Sequence, residues 1–228
     1  MLLLPLLLAL NVPAPAPPAR TVMLTRFDRL RVSGPYVVEV VTGGRTGAEI
    51  QGDRAAAERV SVQVESGMLT IRPAATTQDG FGARPGPVTI RVHTTAPITA
   101  ATVIGGARVK IDRMAADQVE AVLNGTGTLS IAAVKASQFK GTLVGSGTLT
   151  LAGTAATARF AASGSGSIDA AELDAGALIL RSEGAGDGRY RARRTADVSA
   201  SGAGSVEVAG TTKCQVRGTA VIRCGAGR

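Results

Sequence analysis

The run IDAAELDAG, residues 168–176, places the carboxylates of Asp169, Glu172 and Asp174 close together in the chain. Paired acids are what glycoside hydrolysis uses, provided two of them face one cleft about 5 to 9.5 Å apart. The run RYRARR, residues 189–194, gathers Arg189, Arg191, Arg193 and Arg194. Guanidinium forks fit carboxylates and phosphates, so this run is a candidate grip for an acidic glycan or a lipopolysaccharide phosphate. Its other reading is a solvated basic surface, in keeping with the net charge of +8. The single histidine, His93, lies in VTIRVHT. Val88, Ile90 and Val92 share one strand phase and His93 takes the other, so it reads as a solvated strand residue rather than a general base. The two cysteines, Cys214 and Cys224, lack the further ligands a metal site would want. In an exported chain a close pair reads as a disulfide; two buried free thiols are the alternative.

Whether any of these groups meet depends on the elements that carry them, and those elements repeat. Gly125-Thr126-Gly127-Thr128-Leu129 returns as Gly145-Ser146-Gly147-Thr148-Leu149. Further copies start at Gly105, Gly164, Gly184 and Gly202, with a worn one at Gly218, so the spacing runs from 16 to 20 residues. Each glycine pair leads into a strand-like stretch and no Gly-Lys-Ser/Thr follows, which rules against phosphate-binding glycine loops. No cofactor is expected.

Counted from the first glycine of each copy, position +4 holds Val109, Leu129, Leu149, Ile168, Gly188, Val206 and Ile222. Position +6 holds Ile111, Ile131, Leu151, Ala170, Tyr190, Val208 and Cys224, with mostly polar residues between. Before the glycines, position −4 holds Ala121, Gly141, Phe160, Leu180, Val198 and Cys214. Strand, glycine corner and strand in one constant phase describe an all-β chain whose coils, about 20 residues each, stack as a parallel β-solenoid. An up-and-down sheet or sandwich is the alternative, but hairpin turns would not hold one phase over so many copies. Across one coil, small faces large: Gly141 with Leu151, and Phe160 with Ala170.

A step of 20 residues sets Arg189 over Asp169 and Arg194 over Asp174. The acids then meet arginines rather than other acids, and Arg191 and Arg193 remain for a ligand. The two cysteines fall on inward positions of the last coil, where a disulfide would close the open end.

The first half, residues 27–104, is β-rich but irregular, with strands expected over 27–32, 36–41, 48–52, 60–64, 68–72 and 88–92. Ser33-Gly34 and Ser66-Gly67 read as weaker corners, 55–59 as a helical turn, and 76–87 as a Gly/Pro loop around Phe81. Residues 105–225 form the regular half of the same domain. Residues 2–10, LLLPLLLAL, are too few to span a bilayer, which needs about 20, and suit an export leader ending near Ala19. The mature chain has no transmembrane segment on this reading. Aromatics are 3% of the chain and tryptophan is absent, so stacking of nucleic-acid bases is not expected.

The order of FDRLRVSGPYVVEVVTG (27–43), VESGMLTI (64–71), the Gly-x-Gly copies and CQVRGTAVIRCG (214–225) resembles the bacterial "putative autotransporter adhesin, head GIN domain" family. The resemblance covers nearly all of 27–225. It implies a right-handed parallel β-helix related in shape to pectin-lyase folds, an envelope or surface location, and adhesion or ligand binding. It carries over no catalytic residue. The expectation is an exported, non-enzymatic protein offering a binding surface to a glycan or envelope ligand. A carbohydrate-active β-helix enzyme, or an accessory protein that binds an envelope protein, are the alternatives.

Overall fold

The computed structural model describes residues 19–74, 87–210 and 213–225. The expected leader, but for Ala19, and nearly all of the expected loop around Phe81 lie outside them. Of the described residues 74% are strand and 3% helix. In chain order they form β1 (Ala19–Met23), β2 (Arg29–Ser33), β3 (Val37–Thr42), β4 (Gly47–Gln51), α1 (Arg54–Glu58), β5 (Val60–Glu65), β6 (Met68–Pro73), β7 (Thr89–Thr94), β8 (Ala100–Gly105), β9 (Arg108–Ile111), β10 (Met114–Gly125), β11 (Thr128–Gly145), β12 (Thr148–Gly164), β13 (Ser167–Gly184), β14 (Gly188–Ser201), β15 (Ser205–Ala209), β16 (Cys214–Gly218) and β17 (Val221–Gly225).

From β8 onward the strands stack in parallel as a β-solenoid. Leu129 lies beside Val109 and Leu149, and Leu149 beside Ile168, as the repeat predicts. All four are buried, and the polar residues between them face out. The corners are linked through their backbones: Gly127 N donates to Gly105 O at 2.8 Å, and Thr148 N to Gly127 O at 3.0 Å. Gly145 has φ +113°, a conformation L side chains rarely adopt. A Cβ on Gly147 would lie 2.6 Å from the Gly127 carbonyl oxygen, so the corner beneath leaves no space for a side chain.

The interior is fitted between neighbouring coils. Gly141 stacks on Phe160, whose ring fills the place a Gly141 Cβ would take. Phe160 in turn packs at 5.6 Å from Phe139 and 5.1 Å from Tyr190, measured between ring centroids. Gly188 breaks the column of large side chains at +4 because the Tyr190 ring occupies that volume. Burial raises the Tyr190 pKa above the usual tyrosine value, so the phenol is neutral inside the coil.

The first half follows a different stacking order from its chain order. β2 pairs with both β6 and β8, and β3 with both β7 and β9. The β2–β3 coil therefore sits between the β6–β7 level and the β8–β9 level. Ser33-Gly34 is a corner, as expected. Ser66-Gly67 is not: both residues have positive φ and turn the antiparallel β5–β6 hairpin, as a two-residue connection with right-handed strand twist requires. Antiparallel strands close this end, β4 on β7 and β1 on β4, and α1, which leads into β5, buries Ala56 and Ala57. The Arg20 guanidinium donates to Ala57 O at 3.1 Å.

Among the described residues no strand covers the other end. β16 pairs only with β14 and β17 only with β15. Gly218 stacks on Ala200, two residues short of the corner glycine Gly202, so the last corner is tighter than its predecessors. This corrects the position of Cys214. It continues the column of Phe139, Ala158, Leu178 and Ala196, while Val216 takes the expected column of Val198. Cys224 holds its expected place beside Val208, and the disulfide to Cys214 spans 6.4 Å between Cα atoms. With no coil above, Cys214 is only half-buried, and Cys224, Val216 and Val221 are exposed.

Two outcomes follow from this packing. Leu149→Lys would bury an unpaired charge and should cost more than about 4 kcal/mol, while Thr150→Lys, beside Asp169, should change stability by less than about 0.5 kcal/mol; urea melts of both variants measure the difference. Cys214→Ser should lose roughly 2 to 3 kcal/mol by the chain-entropy relation for a loop of this length. Hydrogen exchange in that variant should quicken in β16 and β17 and stay slow in β11 and β12.

Candidate functional site

Stacking at about 4.8 Å turns each outward position into a column drawn from many repeats. On the sheet that follows the corners one column reads Glu49, Arg91, Glu39, Lys110, Ser130, Thr150, Asp169, Arg189, Glu207, Arg223. Charges alternate in sign at both ends, and hydroxyls occupy the middle. Arg91 reaches Glu39 at 3.3 Å, and Arg189 pairs with Asp169 as the repeat predicts. The Glu39–Arg91 part is not visible in the sequence, because β2–β3 enters the stack out of chain order.

The second expected pair is corrected. β13 bulges between Ala170 and Asp174 with no counterpart in β14, so Arg191, not Arg194, lies opposite Asp174. Arg193 makes an ion pair with Asp174 at 3.1 Å. Arg193 is therefore not the free cation it was expected to be. Arg194 is engaged too, with its guanidinium lying over Gly176. Of the four arginines only Arg191 has no hydrogen-bond or ion-pair partner among the described residues. Glu172 stacks on Ala152. Neither neighbouring coil sets an acid beside Asp169 or Asp174.

His93 is half-buried between Val41 and Gly47, with Thr94 next to it turned inward. Asp187 accepts hydrogen bonds from the Ser205 hydroxyl at 2.7 Å and the Ser205 N–H at 2.9 Å, which hold its carboxyl below the usual range. Among the described residues no group of three or more His, Cys, Asp or Glu is placed to hold a metal, and no helix is long and apolar enough to cross a membrane.

The outer sheet before the corners carries a feature that sequence reasoning missed. Arg181, Ser199 and Arg217 fall in one column, beside Glu183 and Ser201 in the next. They line a groove of about 310 Å³ together with Ile179 and Asp197. A second groove of about 540 Å³ shares Ile179 and Asp197 and continues past Ala177, Thr195 and Gln215. The signal is present as Arg-Ser-Arg at matching phase, but placing the last corner at Gly218 moves Arg217 out of the column.

The Asp169–Arg189 pair is solvent-exposed, so a double-mutant cycle should give a coupling of only about 0.2 to 1 kcal/mol that shrinks in high salt.

The model of the family described as "Putative auto-transporter adhesin, head GIN domain" matches residues 26–212. No curated protein matches the chain. Among solved structures, a putative adhesin from Bacteroides fragilis superposes with a TM-score of 0.80 at 21% identity, covering 91% of this chain and 96% of that one. A putative lipid binding protein from Parabacteroides distasonis gives 0.72 at 18% identity, covering 92% and 97%. A putative adhesin from Parabacteroides merdae gives 0.67 at 14% identity, covering 92% and 95%. At these identities the likeness establishes a shared fold. With the family model spanning most of the coils just described, the chain belongs to the family described as "Putative auto-transporter adhesin, head GIN domain".

Proposed function

We propose that this protein is an exported, non-enzymatic binding module that presents the outer faces of its solenoid to glycans at the cell envelope or surface. The observation that carries the reading is the fate of the acids. Asp169 and Asp174 each meet an arginine from the next coil, so neither is arranged as one of two carboxyls across a cleft. What the faces offer instead is shallow grooves lined by arginines, carboxylates and serines. These groups bind sugar hydroxyls and anions. Membership of an adhesin family supports the envelope or surface location.

A glycan and lipopolysaccharide array probed with residues 20–228 tests this, coupled to a reducing-end assay on every glycan bound. Saturable binding that weakens with salt, and no new reducing ends, is the expected result. Accumulating cleavage products would establish the carbohydrate-active enzyme in its place. An array without any binder would end the glycan reading and leave a protein partner in the envelope as the target.

A further inference from the structure

We propose that the groove across β13, β14 and β16 is a subsite for an acidic sugar, whose anionic group is held between Arg181 and Arg217 above Ser199. The inference rests on the glycan-binding reading and gives it a place and a ligand class.

The geometry comes from the corrected register. Arg181 and Arg217 flank Ser199 on consecutive strands, so their Cα atoms stand about 10 Å apart with the small serine midway. The result is a notch whose two walls carry guanidiniums. Arg217 is oriented by Asp197 at 3.2 Å and by Gln215 at 3.5 Å. Arg181 has no hydrogen-bond or ion-pair partner among the described residues, and its planar fork suits a carboxylate, sulfate or phosphate. The hydroxyl groups of Ser199 and Ser201 are likewise unpartnered there.

The remaining lining separates a sugar from a bare anion. Glu183 and Asp197 border the same groove. Their carboxylates repel a free oxyanion but accept hydrogen bonds from sugar hydroxyls. Ile179, 36% exposed, offers an apolar contact for the C–H face of a ring. The groove volume of about 310 Å³ sits at the low end for small-molecule sites. The adjoining groove, which shares Ile179 and Asp197, leaves room along the strand for further sugar units.

The test is a calorimetric titration of trigalacturonate and its neutral counterpart, galactotriose, into wild type, R181A, R181K and R191A. Phosphatidylglycerol vesicles and inorganic phosphate serve as the other anion sources. The expected result is trigalacturonate binding by wild type and R191A, a loss of roughly tenfold or more in R181A, and only partial recovery in R181K. Galactotriose and phosphate should bind far more weakly. Trigalacturonate binding unchanged in R181A would overturn the subsite while leaving the glycan reading intact. Loss in R191A alone would move the site to the 189–194 run and overturn it equally. Equal binding of galactotriose would show that no anion is read. Vesicle binding that depends on Arg181 without trigalacturonate binding would assign the groove to a lipid headgroup instead. If neither trigalacturonate nor any array glycan binds, the reading and the subsite fall together.

Discussion

From Gly125 onward the backbone of each glycine corner rests on the carbonyl groups of the corner beneath it, and the rest of the molecule depends on that contact. Ser146 N and Thr148 N donate to Gly125 O and Gly127 O, and Ser165 N and Ser167 N to Gly145 O and Gly147 O. A side chain at the glycine positions would collide with those carbonyls, as the 2.5 Å approach of a Gly145 Cβ to Gly125 O makes plain. The corner can therefore stack only in one phase. That phase decides which residues point in, so Leu129, Leu149 and Ile168 share a column and the hydroxyls and charges between them reach water.

The same constraint spreads any binding function over several repeats. An outward side chain has its nearest neighbours about 20 residues away rather than two or three, so a groove such as that of Arg181, Ser199 and Arg217 has no contiguous motif. Opposite charges in register along a column pair weakly and keep the face wet. Arg181 and Arg191 have no hydrogen-bond or ion-pair partner among the described residues. The two ends of the stack are treated differently. Antiparallel strands and α1 cover the first, which leaves the second dependent on a disulfide across a coil whose side chains are mostly exposed.

Much of the regular half is legible in the order of residues. The inward positions from Val109 to Val208, the Asp169–Arg189 pair and the Cys214–Cys224 bridge all follow from counting. Counting fails wherever the coils change length. The bulge in β13 shifts Arg191 rather than Arg194 into line with Asp174, and the tight last corner moves Cys214 and Arg217 by two residues against the coil below. Spacing from a glycine cannot reveal on which side of that glycine residues have been lost.

The corner, the phase and the filling of the core are written in the sequence, because each is a local consequence of glycine conformation and of alternation along a strand. Which coil lies on which is settled only by the tertiary structure. β2–β3 enters between β6–β7 and β8–β9, and only there does Glu39 find Arg91 and Lys110 as neighbours. The entropy of closing a loop changes slowly with its length, so nothing local separates one such partner from another. The choice falls to the fit of whole strands in the assembled stack. The arginine groove near the β16–β17 end exists for the same reason: its walls come from three coils that touch only once the chain has wound.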